Sequence, residues 1–139
     1  MQRGPAMCDE GLYGDFDGEC VRGGAQFMAS ISNDGGGGDT PGYKHLFTIS
    51  RLRAIEHRRA IARSANTGMS GFILPRGDIG ETLGWETRGV ISAAVPLNSE
   101  LTFYTRYGDY LGRIAEYLTL LCVLYYIAYR VKRENYLVN

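Results

Sequence analysis

The chain has 139 residues with 15 basic and 15 acidic side chains, so its formal net charge is zero. This length is enough for about one domain. A hydrophobic content of 45% argues against wholesale disorder, and the lack of a basic excess removes the electrostatic case for nucleic-acid binding. The 19 glycines are about twice the usual share of ~7% and follow no collagen period, which indicates turns and close backbone approaches.

The first part of the chain predicts a helix, a strand and a long glycine-rich loop. An amphipathic helix is predicted over residues 11–23 and a buried strand over residues 25–32. The loop covers residues 33–44, contains four consecutive glycines, and is predicted to be flexible unless something outside it holds it. Such a loop could cradle a phosphate, but it lacks the ending of a Walker loop and the pattern of a dinucleotide-binding turn, so nucleotide binding is not favoured.

The central part of the chain predicts a helix followed by two strands. Apolar residues recur every three or four positions over residues 45–63, which predicts a helix whose arginines face solvent. A turn is predicted at residues 64–68, and strands are predicted over residues 70–75 and 88–96. Together with the first part, this order of elements predicts an α/β fold.

The C-terminal part carries an uncharged apolar run over residues 117–129. The run is shorter than the ~18–20 residues that alone indicate a transmembrane helix. Arg113 and Arg130 flank it and can extend outward, and its tyrosines resemble an interfacial aromatic belt. A buried core helix remains the alternative. If the run spans a membrane, the basic residues after it place the C-terminus in the cytoplasm and residues 1–110 on the outer face.

The cysteines suggest one candidate nucleophile. Cys8, Cys20 and Cys122 stand at unrelated spacing with no cluster of cysteine and histidine, so neither a disulfide framework nor a metal site is predicted. Cys8 is the candidate nucleophile, and Glu10 could position a base or a substrate. The alternative is that Cys8 is a small buried hydrophobe, which is the interpretation we favour for the other two cysteines.

Six blocks of sequence, taken together, are more specific than any single motif. They are MCDEGLYGDF (7–16), RGGAQFMASISNDG (22–35), GDTPGYKHL (38–46), SRLRAIEHRRAIARSANTG (50–68), SGFILPRGDI (70–79) and LTFYTRYGDYLGR (101–113). Through these blocks the chain resembles the C-terminal part of the bacterial apolipoprotein N-acyltransferases, which belong to the nitrilase (carbon–nitrogen hydrolase) superfamily. The resemblance extends from Met7 to about Arg133.

The resemblance implies a covalent mechanism without a cofactor. A cysteine takes an acyl chain from a phospholipid as a thioester and passes it to the N-terminal cysteine of an apolipoprotein, with no part for nucleic acid. Cys8 matches the nucleophile and Glu10 matches the glutamate that follows it in the family motif. The supporting residues carried over from the resemblance are Asn33, Asp34, Arg59, Arg63 and Asn66.

The resemblance also implies an architecture. The fold class is then a partial nitrilase-like α-β-β-α sandwich followed by one C-terminal transmembrane helix. Residues 1–108 correspond to the C-terminal half of a periplasmic domain, residues 109–131 to a helix in the bacterial inner membrane, and residues 132–139 to a cytoplasmic tail.

The chain departs from the family pattern in three respects. The family places its general-base glutamate and oxyanion-stabilising lysine before the cysteine, and none of the seven residues before Cys8 is Glu or Lys. Asp9 stands where the family has tyrosine, and Gly36 and Gly37 stand where it usually has bulky aromatic residues. We therefore expect this chain alone to be inactive. The alternative function is a catalytically inactive remnant or an accessory membrane-anchored fragment, and a soluble amidase of the superfamily is disfavoured by the apolar tail.

Overall fold

The computed structural model of the chain describes residues 3–7, 14–38 and 40–138, with the backbone alone for residues 3–7, 131 and 134–138. These residues fall into two compact units, Met1–Gly108 and Asp109–Asn139. The strands are β1 (Arg3–Met7), β2 (Phe27–Ser32), β3 (Ile61–Ala65), β4 (Ser70–Ile73) and β5 (Ile79–Leu83). The helices are α1 (Gly14–Arg22), α2 (Gly42–His57), α3 (Phe103–Tyr107) and α4 (Tyr110–Val138), with a 3-10 turn at Asp34–Gly37.

The first unit is built on a mixed sheet with the strand order β1-β2-β3-β4-β5. Strands β1, β2 and β3 are parallel, whereas β4 and β5 are each antiparallel to the preceding strand. Because parallel strands end at the same edge of a sheet, β1, β2 and β3 end side by side at one edge. We call this the carboxyl edge, and the opposite side, where β2 and β3 begin, the amino edge.

The hydrophobic core lies between the sheet and helices α1 and α2. Met28, Ile61 and Ile73 stand in register on three neighbouring strands, and Val21 of α1 and Phe47 of α2 pack against them. The apolar alternation of each strand turns these side chains to the helix-covered face. The predicted α/β fold class with an apolar C-terminal helix is therefore confirmed.

The predicted helix over residues 45–63 is wrong in its second part. Helix α2 ends at His57 because Arg58 adopts a left-handed conformation with φ of 48°, and residues 61–65 form β3 instead. As a result, the arginines predicted to face solvent include two that are buried. Arg59 is only 1% exposed, and Arg63 is also buried.

The predicted strand over residues 88–96 is also wrong. No strand is found from residue 84 to 102, and Val90 is 96% exposed. Alternation alone does not make a strand, because a strand also needs a neighbour for its backbone hydrogen bonds. In the described residues the sheet ends at β5, a strand that the sequence analysis missed.

The predicted buried strand over residues 25–32 appears as β2, but it is buried on one face only. Met28 is buried against the helices, whereas Ile31 on the opposite face is 65% exposed. The sequence analysis also missed β1, which pairs with β2 despite containing Pro5. Proline lacks a backbone donor and is tolerated where a strand has one neighbour, which is the position of β1 in the described sheet.

The amino edge of the sheet is held by buried polar side chains. Arg59 donates from Nε to the Ala25 carbonyl at 2.8 Å and from Nη1 to the Glu100 carbonyl at 3.0 Å. His57 Nδ1 lies 2.9 Å from Thr105 Oγ1, which joins the end of α2 to α3. Burial lowers the pKa of His57 to about 4, and the positive charge of Arg53 acts in the same direction.

The second unit consists of α4 within the described residues. The segment Tyr110–Arg130 is 21 residues long, has a mean hydropathy of 1.4, and is not buried by the residues that the structure describes. By length and composition this segment could cross a membrane.

The buried His57 predicts that acid destabilises the first unit. The folded chain binds a proton at His57 less readily than the unfolded chain, whose histidine has a pKa near 6.5. The His57 contribution to stability is therefore constant well above that pH, and it falls by roughly 3 kcal/mol as the pH drops from 6.5 to 4. Urea unfolding of the chain in mild detergent, followed across this interval, measures the change. A His57→Gln variant should be less stable overall but lose less on acidification, and an equal loss in both proteins would contradict the assignment.

Candidate functional site

The candidate site lies at the carboxyl edge of the parallel strands. Met7 pairs with Ile31, and Ser32 pairs with Ala65, so β1, β2 and β3 end close together. In the sequence, Asn33 directly follows β2 and Asn66 directly follows β3. The predicted nucleophile Cys8 is the next residue after β1, but Cys8 and Glu10 lie outside the described residues.

Two asparagine side chains connect the ends of β2 and β3. Asn66 donates from Nδ2 to Asn33 Oδ1 at 2.6 Å. Asn66 Oδ1 in turn accepts the backbone N–H of Asp34 at 3.1 Å and that of Thr67 at 2.8 Å. The Asn66 side chain therefore uses both ends of its amide to hold two loops in one arrangement.

A buried ion pair between Arg63 and Asp34 holds these loops on the interior side. Arg63 donates from Nη2 to both carboxylate oxygens of Asp34, at 2.9 and 3.0 Å. Ser32 Oγ also donates to the Asp34 carboxylate, and Arg63 Nη1 donates to Ser50 Oγ of α2 at 3.0 Å. The pair thus joins β3, the turn after β2 and helix α2 in the interior, where an unpaired charge would be very costly.

Gly68 lets the loop after β3 approach the ion pair closely. A Cβ atom at this position would lie 1.9 Å from Asp34 Oδ2, so any side chain would displace the carboxylate. The sequence analysis did not identify this requirement, although the turn-prone residues 64–68 pointed to a tight loop. Ser32 and Ser50 were not predicted either, because nothing in the sequence relates them until the fold brings Ser32 to the Asp34 carboxylate and Ser50 to the Arg63 guanidinium.

Of the supporting residues predicted from the sequence, four come together at this edge and one does not. Asn33, Asp34, Arg63 and Asn66 form the connected group. Arg59 precedes β3 rather than following it, and its hydrogen bonds all run to backbone carbonyls at the amino edge. Arg59 therefore holds the opposite side of the sheet and does not contribute to the connected group.

A crevice of about 320 Å³ opens beside the connected group. Its lining comprises Asn33, Asp34, Gly36, Thr40, Gly42, Tyr43 and Leu46. Near its rim the ring of Tyr43 packs against that of Trp85 with centroids 5.0 Å apart, and Lys44 Nζ lies 5.7 Å from the Tyr43 centroid. The loop after β2, predicted to be flexible unless held, begins with the 3-10 turn. Side-chain oxygens of Asn33 and Asn66 accept backbone hydrogen bonds from this turn and hold it in place.

The described cysteines and possible metal ligands add no further residue to the candidate site. Cys20 is half-buried on α1 and Cys122 is exposed on α4. Within residues 14–38 and 40–138, no group of three or more His, Cys, Asp or Glu side chains could hold a metal ion.

Comparison with known proteins gives consistent matches. Residues 2–101 match the family described as carbon-nitrogen hydrolase. The apolipoprotein N-acyltransferase of Chlorobaculum tepidum is 41% identical over 103 residues, covering 74% of this chain and 19% of that protein. The enzyme of the same name from Bradyrhizobium diazoefficiens is 35% identical over 133 residues, covering 94% of this chain and 24% of that protein. The chain therefore spans about a fifth to a quarter of the length of these relatives.

Nit3 of Saccharomyces cerevisiae, a member of branch 10 of the nitrilase superfamily, matches with a TM-score of 0.49 and 21% identity, covering 60% of this chain and 33% of that one.

The ion pair predicts a large penalty for removing one partner alone. Arg63→Met leaves the Asp34 carboxylate buried without a counter-charge and should lower the free energy of unfolding by about 3–5 kcal/mol. The double variant Asp34→Asn/Arg63→Met should regain part of that loss, because the unpaired charge is gone. Urea unfolding measures both effects. Arg88→Met, at an exposed arginine, is the matched control and should change stability by no more than about 0.5 kcal/mol. A double variant no more stable than Arg63→Met would contradict the role of the charge.

Proposed function

Because the chain belongs to the carbon–nitrogen hydrolase family, we propose that it forms the cysteine-bearing part of a lipoprotein N-acyltransferase of the bacterial inner membrane. The observation that carries this proposal is the carboxyl edge. Cys8 follows β1 in the sequence, and the next two strands of the sheet, β2 and β3, lead directly into the linked Asn33 and Asn66. The proposal places the nucleophile at the edge of the sheet that carries these two loops, which the ion pair holds in place.

The proposed reaction has two acyl-transfer steps. The Cys8 thiolate attacks an ester carbonyl carbon of a glycerophospholipid, a C–S bond forms, the C–O bond to glycerol breaks, and the lysophospholipid leaves with a proton. The α-amino group of the N-terminal cysteine of an apolipoprotein then attacks the thioester. A C–N bond forms, the C–S bond breaks, and Cys8 regains its proton. Splitting one difficult transfer into two easier ones is the benefit of covalent catalysis.

The residues at the carboxyl edge act in this proposal by positioning. Asn66 and Asp34 hold the turn after β2, and Glu10 orients the substrate or the base near the nucleophile. The crevice beside Tyr43 gives one apolar approach to this edge. No residue of this chain matches the family's general-base glutamate or its oxyanion-stabilising lysine, so the proposal requires other residues to supply these two groups.

The membrane setting of the proposal rests on α4. Its candidate span Tyr110–Arg130 carries tyrosines along its length and is followed by Lys132 and Arg133. Basic residues after a span favour the cytoplasmic side. Residues 1–108 are then periplasmic, residues 109–131 cross the membrane, and residues 132–139 are cytoplasmic.

The nucleophile is tested in a chimera. Residues 1–139 replace the aligned segment of the Chlorobaculum tepidum relative, and membranes carrying the chimera receive a phospholipid with a labelled acyl chain. We expect a hydroxylamine-sensitive acyl adduct that falls on the order of 10³-fold or more in Cys8→Ala, because the attacking thiolate is lost. Cys20→Ala, a cysteine on α1, is the matched control and should keep the adduct.

Other outcomes of that experiment decide between the functions. The 139-residue chain without its chimeric partner should form no adduct, because no base activates the thiol. An adduct that persists in Cys8→Ala would exclude Cys8 as the nucleophile. A chimera that inserts and folds but forms no adduct would favour the alternative of a catalytically inactive or accessory fragment.

The membrane setting predicts that carbonate extraction leaves the chain in the membrane pellet. The apolar surface of α4 is not covered by the described residues and would be exposed to water if the chain were extracted. The matched control is a chain ending at Gly108, which should move to the soluble fraction. Release of the 139-residue chain by carbonate would contradict a spanning α4.

A further inference from the structure

Helix α3 presents two large aromatic side chains to the outside of the first unit. Phe103 is 61% exposed and Tyr107 is 56% exposed, and their ring centroids lie 4.6 Å apart. The two residues are four positions apart, so they share one face of the helix. Arg106 lies between them in the sequence and is also exposed. The result is a small aromatic surface with a cationic side chain beside it, which we call the α3 surface.

The α3 surface is held firmly against the rest of the unit. Thr105 is fully buried on the opposite face of the helix, and its carbonyl accepts a hydrogen bond from Arg22 Nη1 at 2.7 Å. Thr102 caps α3 and donates from Oγ1 to the Glu56 carbonyl at 2.6 Å. These contacts fix which residues of α3 point inward, so the exposure of Phe103 and Tyr107 is a consequence of the packing and not of fraying.

The covalent chain brings the α3 surface close to the start of the candidate membrane span. Gly108 ends α3, and the span begins at Tyr110 with only Asp109 between them. Two residues of chain reach no further than about 7 Å. If α4 crosses a bilayer, Gly108 must therefore lie at that membrane surface, and α3 directly precedes it.

We propose that the α3 surface lies in the headgroup region of the lipid bilayer and forms a second membrane contact of this chain beside α4. This inference rests on the proposed function, since it requires α4 to span. Aromatic rings are favoured at the interface because an apolar ring and a polar edge match the two environments there. The guanidinium of Arg106 can reach lipid phosphates from the same position. The surface would hold the first unit at a fixed height on the membrane, close to its lipid substrate.

Tryptophan fluorescence in the full chain tests this contact. The single natural tryptophan is removed by Trp85→Phe, which keeps an aromatic ring against Tyr43. One tryptophan is then introduced by Phe103→Trp, by Tyr107→Trp or, as the matched control on an exposed apolar residue of the same unit, by Val90→Trp. Leu120→Trp reports the insertion of α4. Each variant is reconstituted in phosphatidylcholine–phosphatidylglycerol vesicles without bromine or with bromine on the acyl chains near the headgroup, and Leu120→Trp is also reconstituted with bromine near the acyl-chain ends, the depth of the bilayer centre.

We expect brominated lipid to reduce the emission of Phe103→Trp and Tyr107→Trp about twofold or more and that of Val90→Trp little, with the first two shielded from aqueous iodide. Circular dichroism checks folding, and either α3 variant suffices if the other does not fold. Emission like that of Val90→Trp, with Leu120→Trp quenched, would overturn the inference and leave the membrane anchor intact. Shielding from iodide without quenching by bromine would show a protein partner or a second copy, which also overturns it. An unquenched Leu120→Trp would reject the spanning α4 and this inference together.

Discussion

The buried ion pair between Asp34 and Arg63 is the constraint on which the carboxyl edge depends. A carboxylate and a guanidinium can both leave water only if each finds its partner and further hydrogen bonds, and here Ser32 and Ser50 supply two of them. Those requirements connect β3, the turn after β2 and helix α2 at one point. The positions of Asn33 and Asn66 depend on this ion pair, because a shift of their loops would expose the Asp34 and Arg63 charges.

Two buried arginines, Arg63 within β3 and Arg59 just before it, have their charges compensated by different partners. Arg63 within the strand is neutralised by a carboxylate, whereas Arg59 just before it donates only to backbone carbonyls. Burial lowers the pKa of Arg59, which is the expected direction for a cation without a counter-charge. Arg63 lies at the carboxyl edge, where the candidate site residues are, and Arg59 lies at the amino edge, where buried polar side chains connect α2 to α3.

The proposed acyl transfer joins the two units through their chemistry. The proposed acyl donor is a lipid, so the reacting edge would have to work near a bilayer, and a spanning α4 would keep it there. The proposed contact of the α3 surface would add a second attachment on the first unit itself. An enzyme that takes its substrate from a membrane benefits from a defined position on it, because positioning replaces part of the entropy cost of bringing the reactants together.

Much of this arrangement can be predicted from the sequence, and the failures have physical causes. Helices α1 and α2 and the strand containing Met28 were predictable from local pattern, whereas the Asn33–Asp34 pair at the end of that strand was expected from the family resemblance. Strand β3 was missed because the apolar spacing of α2 continues through Ile61, while Arg58 stops the helix without the glycine that usually marks a left-handed residue. The predicted strand over residues 88–96 failed because its alternation needs a neighbouring strand that the described sheet does not provide.

By itself the sequence determined the α/β class, the apolar C-terminal helix and the family of the chain, because periodicity, hydropathy and motif order are properties of the chain alone. Only the tertiary structure decided that Arg63 lies at the carboxyl edge, with the candidate site, and Arg59 at the amino edge. The two arginines are four residues apart in one charged block. What distinguishes them is which buried partner each meets, and that depends on residues 29 to 41 positions away that the fold brings into contact.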